Sequence, residues 1–180
     1  MATPPTFSAG SVLTAAQMNA VGLWEIKADT IGSAVATVTV SNAFSADYDA
    51  YRVIITGGSS TTNNYIKLTL GSTATGYYAG YSGVTFATGA AALGADNNGT
   101  SWTASGYAQT TTLQMNVDII NPFLSKITSC TSFYNQTVTT GGCGVMHGWL
   151  NNTTSFTTFT ITPNTGTWTG GTVRVYGYRN

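Results

Sequence analysis

The sequence predicts an all-β protein: an antiparallel β-sandwich, jelly-roll-like, with a short N-terminal helix. Three observations carry that prediction. Apolar and polar residues alternate with period two in several segments, turn-forming residues separate those segments, and Thr and Tyr, which suit a pleated half-buried surface, are abundant. No internal period repeats along the chain, which argues against a propeller or solenoid.

Residues 1–22 read as an attachment segment and residues 23–180 as the sandwich domain. Pro4 and Pro5 favour an extended entry. Thr14 as N-cap with Gln17 at the third helical position makes a capping box, and Leu13 stapled to Met18 fixes the entry angle. Ala15 to Val21 is the expected helix, and Gly22 stops it. A helix of about seven residues is unstable alone, so this segment is expected to dock on its own domain, a neighbouring subunit or a larger assembly.

From Leu23 onward strands are expected. Tyr51, Val53 and Ile55 share one face; so do Ile66, Leu68 and Leu70, opposite Lys67 and Thr69; so do Leu113, Met115, Val117 and Ile119, opposite Gln114, Asn116 and Asp118. One apolar face per segment is the mark of a half-buried antiparallel sheet. Further strands are expected over Leu23 to Ile31, Ala34 to Val40, Tyr77 to Phe86, Ile127 to Thr137, Val145 to Leu150, Phe156 to Thr162 and Thr172 to Tyr178. Gly57-Gly58-Ser59, Asp96-Asn97-Asn98-Gly99, Gly141-Gly142 and Asn164-Thr165-Gly166 read as turns. Residues 87–101 hold no large apolar side chain except Leu93 and read as a long mobile loop, a surface excursion or a contact loop.

Charge narrows the function classes. Six Lys and Arg balance six Asp and Glu, so no basic surplus exists to displace counterions from nucleic acid or to hold an anionic membrane. Charged residues are 7% of the chain, against about 25% in ordinary globular proteins. So neutral a surface favours association, and with few charges to guard sheet edges the expected partner is another copy of the chain. No secretion signal is evident at the start and no apolar run reaches the ~20 residues of a membrane span, so synthesis in a cytoplasm is expected. Cys130 and Cys143 make neither a disulfide framework nor a metal site by count, and both are expected as buried thiols.

Residues able to carry catalysis are scarce: one His, one Glu and five Asp. Cys143 and His147 would share a strand face, but ~3.3 Å of rise per residue separates them by about 13 Å, too far for proton transfer. Asp47 and Asp49 are the one close carboxylate pair; calcium coordination or glycoside hydrolysis would each need partners that are not evident, and a polar turn before Tyr51 is the plainer reading. No phosphate loop, nucleophile elbow or zinc spacing occurs. No catalytic residue, cofactor or metal is therefore expected. The Asn-X-Thr triplets at Asn98, Asn135 and Asn152 are expected by chance in a chain this rich in Asn and Thr. Aromatics are the remaining resource: Tyr77, Tyr78, Tyr81 and Trp102 are the candidate surface contacts, able to stack on a sugar ring or anchor a protein, although core packing is the commoner use of such residues in a β protein.

The run Phe7-Ser8-Ala9-Gly10-Ser11-Val12-Leu13-Thr14-Ala15-Ala16-Gln17-Met18-Asn19 resembles a short element near the start of many bacteriophage virion proteins, where it precedes a β-rich fibre or decoration domain. Ala43-Phe44-Ser45 with Tyr48-Asp49 and Tyr51-Arg52-Val53, Asn121-Pro122-Phe123, and Gly170-Gly171-Thr172-Val173-Arg174-Val175-Tyr176-Gly177-Tyr178 are similar to proteins encoded in phage genomes. The resemblance touches both ends and the middle of the chain. It implies a structural protein of the virion (fibre, knob or capsid decoration), homo-oligomeric and most simply trimeric, that contacts other virion proteins. Phe7, Leu13, Thr14, Gln17, Met18 and Asn19 would then be the attachment residues. A carbohydrate-binding host-recognition adhesin is the alternative, and a polysaccharide depolymerase acting through Asp47 a distant third.

Overall fold

The computed structural model describes residues 8–10, 12, 23–137 and 140–178. The expected helix at 15–21 and the attachment residues Phe7, Leu13, Thr14, Gln17, Met18 and Asn19 lie outside the described residues. Among the described residues every regular element is a strand: β1 (Leu23–Thr30), β2 (Val38–Val40), β3 (Ala50–Thr56), β4 (Ser59–Ser60), β5 (Asn64–Leu70), β6 (Tyr77–Thr85), β7 (Ala91–Gly99), β8 (Trp102–Ala108), β9 (Leu113–Ile120), β10 (Thr128–Asn135), β11 (Gly142–Leu150), β12 (Phe159–Pro163), β13 (Trp168–Thr169) and β14 (Thr172–Tyr178).

They form two antiparallel sheets, one of 12 strands and one of two, β13 with β4. The large sheet runs β2-β12-β5-β8-β9-β10-β11-β6-β7, with β3 on the other edge of β9, then β14 and β1. Strand β9 organises it. Its first residues pair with β8 and those from Asn116 onward with β10, while its opposite edge holds β3. The change of partner divides the sheet into an arm β8-β5-β12-β2 and an arm β10-β11-β6-β7. The arms meet again through side chains: Ser132 Oγ on β10 donates to the Ala104 carbonyl on β8 at 2.9 Å, and the rings of Tyr77 and Trp102 meet edge to face at 5.2 Å.

The alternation in the sequence correctly marks the buried faces. Tyr51, Val53 and Ile55 of β3, Ile66, Leu68 and Leu70 of β5, and Leu113, Met115, Val117 and Ile119 of β9 all belong to one core with Phe159 and Ile161 of β12 and Val173 and Val175 of β14. At one corner of the molecule the chain turns twice on glycine. Gly57 and Gly58 abut Gly170 and Gly171, all four with positive φ, and a Cβ on Gly58 would lie 2.2 Å from the Gly170 carbonyl oxygen. Only residues without side chains let the two backbones approach so closely.

Three expectations are corrected. The segment Ala34 to Val40 is a strand only over Val38–Val40; Ala34 takes a left-handed conformation, and Val35 makes a single bridge to Trp168. The stretch 87–101 is not a loop, nor is Asp96-Asn97-Asn98-Gly99 a turn: Ala91–Gly99 is the nine-residue strand β7, paired along β6. Its small residues conceal the alternation but suit the position. The Tyr81 ring lies over Gly94, where a Cβ would come within 2.1 Å of it. The Asp96 carboxylate accepts hydrogen bonds from the Thr103 amide at 2.8 Å and hydroxyl at 2.7 Å, tying β7 to the start of β8.

Among the described residues the terminal strands of the large sheet are β1, β2 and β7. Strand β1 carries Glu25, Lys27 and Asp29 and a register break between Glu25 and Lys27, and β2 is three residues long. Charge, irregularity and brevity all discourage stray pairing. Strand β7 has only Asp96, already engaged with Thr103.

Candidate interaction surface

Because side chains alternate across a strand, burying one face of β6, β9, β10 and β11 puts a second set of residues on the outer face. Register aligns these into rows. Leu93, Ser82, Val145 and Phe133 form one row across β7, β6, β11 and β10. Ala95, Gly80, His147 and Thr131 form the next, and Tyr78, Trp149 and Ser129 the third. Leu93 is 78% exposed, Phe133 57% and Trp149 42%, which is unusual for side chains of this size. Tyr78 and Trp149 stack with ring centroids 4.8 Å apart and planes 11° from parallel.

The middle row is low at its β7 and β6 end, with the larger His147 and Thr131 on β11 and β10. A Cβ on Gly80 would meet nothing within 4 Å, and Ala95 beside it is small. The Leu93-Ser82-Val145-Phe133 row and the Tyr78-Trp149 pair thus flank a trough over Ala95 and Gly80 that ends at His147, hydrogen-bonded through Nδ1 to the Thr131 hydroxyl at 3.1 Å. Beyond Phe133 a depression of about 460 Å³ is lined by Gln114, Asn116, Asn135, Cys143 and Val145.

The trough row continues into the main ion pair. Asp118 of β9 accepts two hydrogen bonds from the Arg52 guanidinium, at 2.8 and 2.6 Å, and one from the Tyr178 hydroxyl at 2.6 Å. Burial would raise the Asp118 pKa, but the Arg52 and Tyr178 hydrogen bonds and the Arg52 charge outweigh it and hold the carboxyl below its ordinary value. Burial also pushes the Tyr178 phenol up to about 12, helped by the carboxylate it donates to. The pair is internally matched, so Asp118 and Arg52 neutralise each other beside the three rows.

The aromatic candidates divide between interior and surface. Tyr77 and Trp102 have no exposed area, which corrects their assignment as surface contacts. The Tyr77 hydroxyl accepts from the Leu70 amide at 2.8 Å, and burial drives its pKa up to about 12. Tyr81 is half-buried beside Tyr65 and over Gly94. Tyr78 alone of the four faces outward with an accessible partner, Trp149. Phe133, Val145 and Leu93 were not singled out from the sequence as contacts; the available signal was Leu93, the one large apolar residue in a stretch of small ones.

The residues considered for chemistry are scattered. Cys143 and His147 lie on the outer face of β11, with Cys143 opposite Asn135 and Cys130 opposite Gly148. Both thiols are free; Cys143 is exposed, which corrects the expectation that both are buried, and burial pushes the Cys130 thiol well up. Asp47 sits in a turn closed by Ser45, whose hydroxyl donates to its carboxylate at 3.0 Å. Among the described residues no three His, Cys, Asp or Glu converge on a point that would hold a metal.

No family model matches the chain, and comparison with curated proteins and with solved structures finds no significant match to either. Fold and surface chemistry are therefore the basis for a functional reading.

Proposed function

We propose that this chain is a non-catalytic structural subunit of a bacteriophage particle, a fibre, knob or decoration protein that works as a homo-oligomer. The observation that carries the reading is the outer face of β6, β7, β10 and β11, where Leu93, Val84, Phe133 and Trp149 are exposed among neutral residues and the three rows carry no Lys, Arg, Asp or Glu. A monomer gains nothing from exposing Leu93, Phe133 and Trp149 together, whereas a subunit that packs against its neighbours does. Residues 1–22 are the proposed attachment segment, and the strands from Leu23 onward the rigid body it carries. A sandwich of jelly-roll type accounts for two arms of sheet sharing one core.

The test is assembly. Particles made with a chain lacking residues 1–22 are expected to lack the subunit, while the truncated protein keeps the β spectrum and melting temperature of the full chain. Incorporation at the normal level would remove the attachment role, and failure to find the full chain in purified particles would remove the virion reading altogether.

The Tyr78–Trp149 stack favours a second reading, recognition of a host surface glycan, since a partly exposed flat aromatic pair suits the apolar face of a sugar ring. Binding on a glycan array that disappears with Trp149→Ala would support it. No binding by the native chain would retire it.

A further inference from the structure

We infer that the ridged outer face of β6, β7, β10 and β11 is where a second copy of this chain docks, face to face about a twofold axis. The inference rests on the homo-oligomeric reading above and adds the surface, the partner and the symmetry.

Relief is the first argument. Rows of side chains on one face of a sheet lie about 6.6 Å apart, two residues of rise, so the Leu93-Ser82-Val145-Phe133 row, the low Ala95-Gly80 end of the next row and the Tyr78-Trp149 row follow at a spacing an identical surface can mesh with. A ridge from one copy lies in the trough of the other, as inner faces interdigitate when two sheets pack. Gly80 is what opens the trough; nothing stands within 4 Å of where its Cβ would be.

Area is the second. The four strands β7-β6-β11-β10, at ~4.8 Å spacing and about nine residues of ~3.3 Å rise, cover roughly 570 Å² in plan. Side-chain relief adds accessible surface to that plan and brings it toward the roughly 800 Å² per partner of a stable interface. Val84, 47% exposed, and Ile120 of the adjoining β9, 40% exposed, extend the apolar surface.

Charge is the third. The three rows carry no Lys, Arg, Asp or Glu, and Asp118 beside them is neutralised by Arg52. A charged partner finds nothing to pair with, while an identical neutral face meets no repulsion. A twofold axis uses one patch on both partners; a threefold ring needs two different complementary patches, and this face is one continuous patch.

The test is sedimentation velocity of the full chain, with Leu93→Lys, Phe133→Lys and the double variant. These side chains are exposed on the single subunit, so the variants are expected to keep the wild-type circular dichroism spectrum, while the melting temperature of the double variant loses the concentration dependence that a dimer gives the wild type. Wild type is expected to sediment at twice the monomer mass and the double variant as a monomer, with Cys143, at the rim of the face, alkylated at least tenfold faster in the variant. An oligomer that survives both lysines unchanged, or a trimer, overturns this docking face and leaves the homo-oligomeric reading standing. A wild-type chain that is monomeric at every concentration overturns both.

Discussion

Asp118 shows how few charges this protein needs. One carboxylate takes hydrogen bonds from Arg52 and Tyr178 and joins β9, β3 and β14 on the outer face. Its folded pKa is depressed, so its contribution is present above the unfolded carboxyl pKa and is lost as pH falls through the folded value. Asp118→Asn is expected to lower stability by about 1 kcal/mol at neutral pH, the scale of a partly exposed, well-oriented pair. Urea melts of wild type and variant should then converge in acid; a gap that persists at low pH would assign the loss to packing. Gly177 is a steric counterpart: a Cβ there would come 2.5 Å from the Tyr48 ring, which is itself buried against Tyr51. Gly177→Ala is expected to cost about 1–3 kcal/mol by overpacking, read from the same melts. The two thiols should differ as sharply. In the folded Leu93→Lys, Phe133→Lys double variant Cys143 is expected to react fully with a maleimide while Cys130 stays unmodified until denaturant is added, as mass spectrometry of the labelled peptides would show.

Strand β7 illustrates why some elements are hard to read in advance. Ala, Gly and Asn offer no contrast in size or polarity between odd and even positions, so Ala91–Gly99 has no visible period, although its backbone completes the ladder on β6. Strand β8 hides for a related reason. Trp102, Ala104, Ser105, Gly106 and Ala108 are all buried, so its two faces do not differ in the way alternation requires. By contrast β3, β5 and β9 each have one wet and one dry face, and their inward residues were legible at once. The tie between β7 and β8 can be tested: Asp96→Ala removes the acceptor for two Thr103 hydrogen bonds. Exchange of the amides at 91–99 is expected to speed up by the equivalent of about 1.5–3 kcal/mol, with little change in the core strands. Equal acceleration throughout would mean that β7 and the core open as one unit.

At the level of the whole chain, pairing is strongly non-local. Strand β1 waits for β14, β2 for β12, and β3 for both β9 and β14. Closing such loops before any contact compensates slows folding, and stopped-flow refolding from urea is expected to take milliseconds to seconds. The alternating segments were sufficient to predict an all-β protein with one core, because burial of a face is a property of residues in order. The choice between neighbours was not in that order. Tyr77 and Tyr78 are adjacent and alike, yet one is sealed against Trp102 and the other stacks outside on Trp149. Alternation requires them to point to opposite faces but does not say which face the second arm of the sheet will cover. That is settled where β9 changes partner from β8 to β10, and with it whether Leu93 and Phe133 are core or surface.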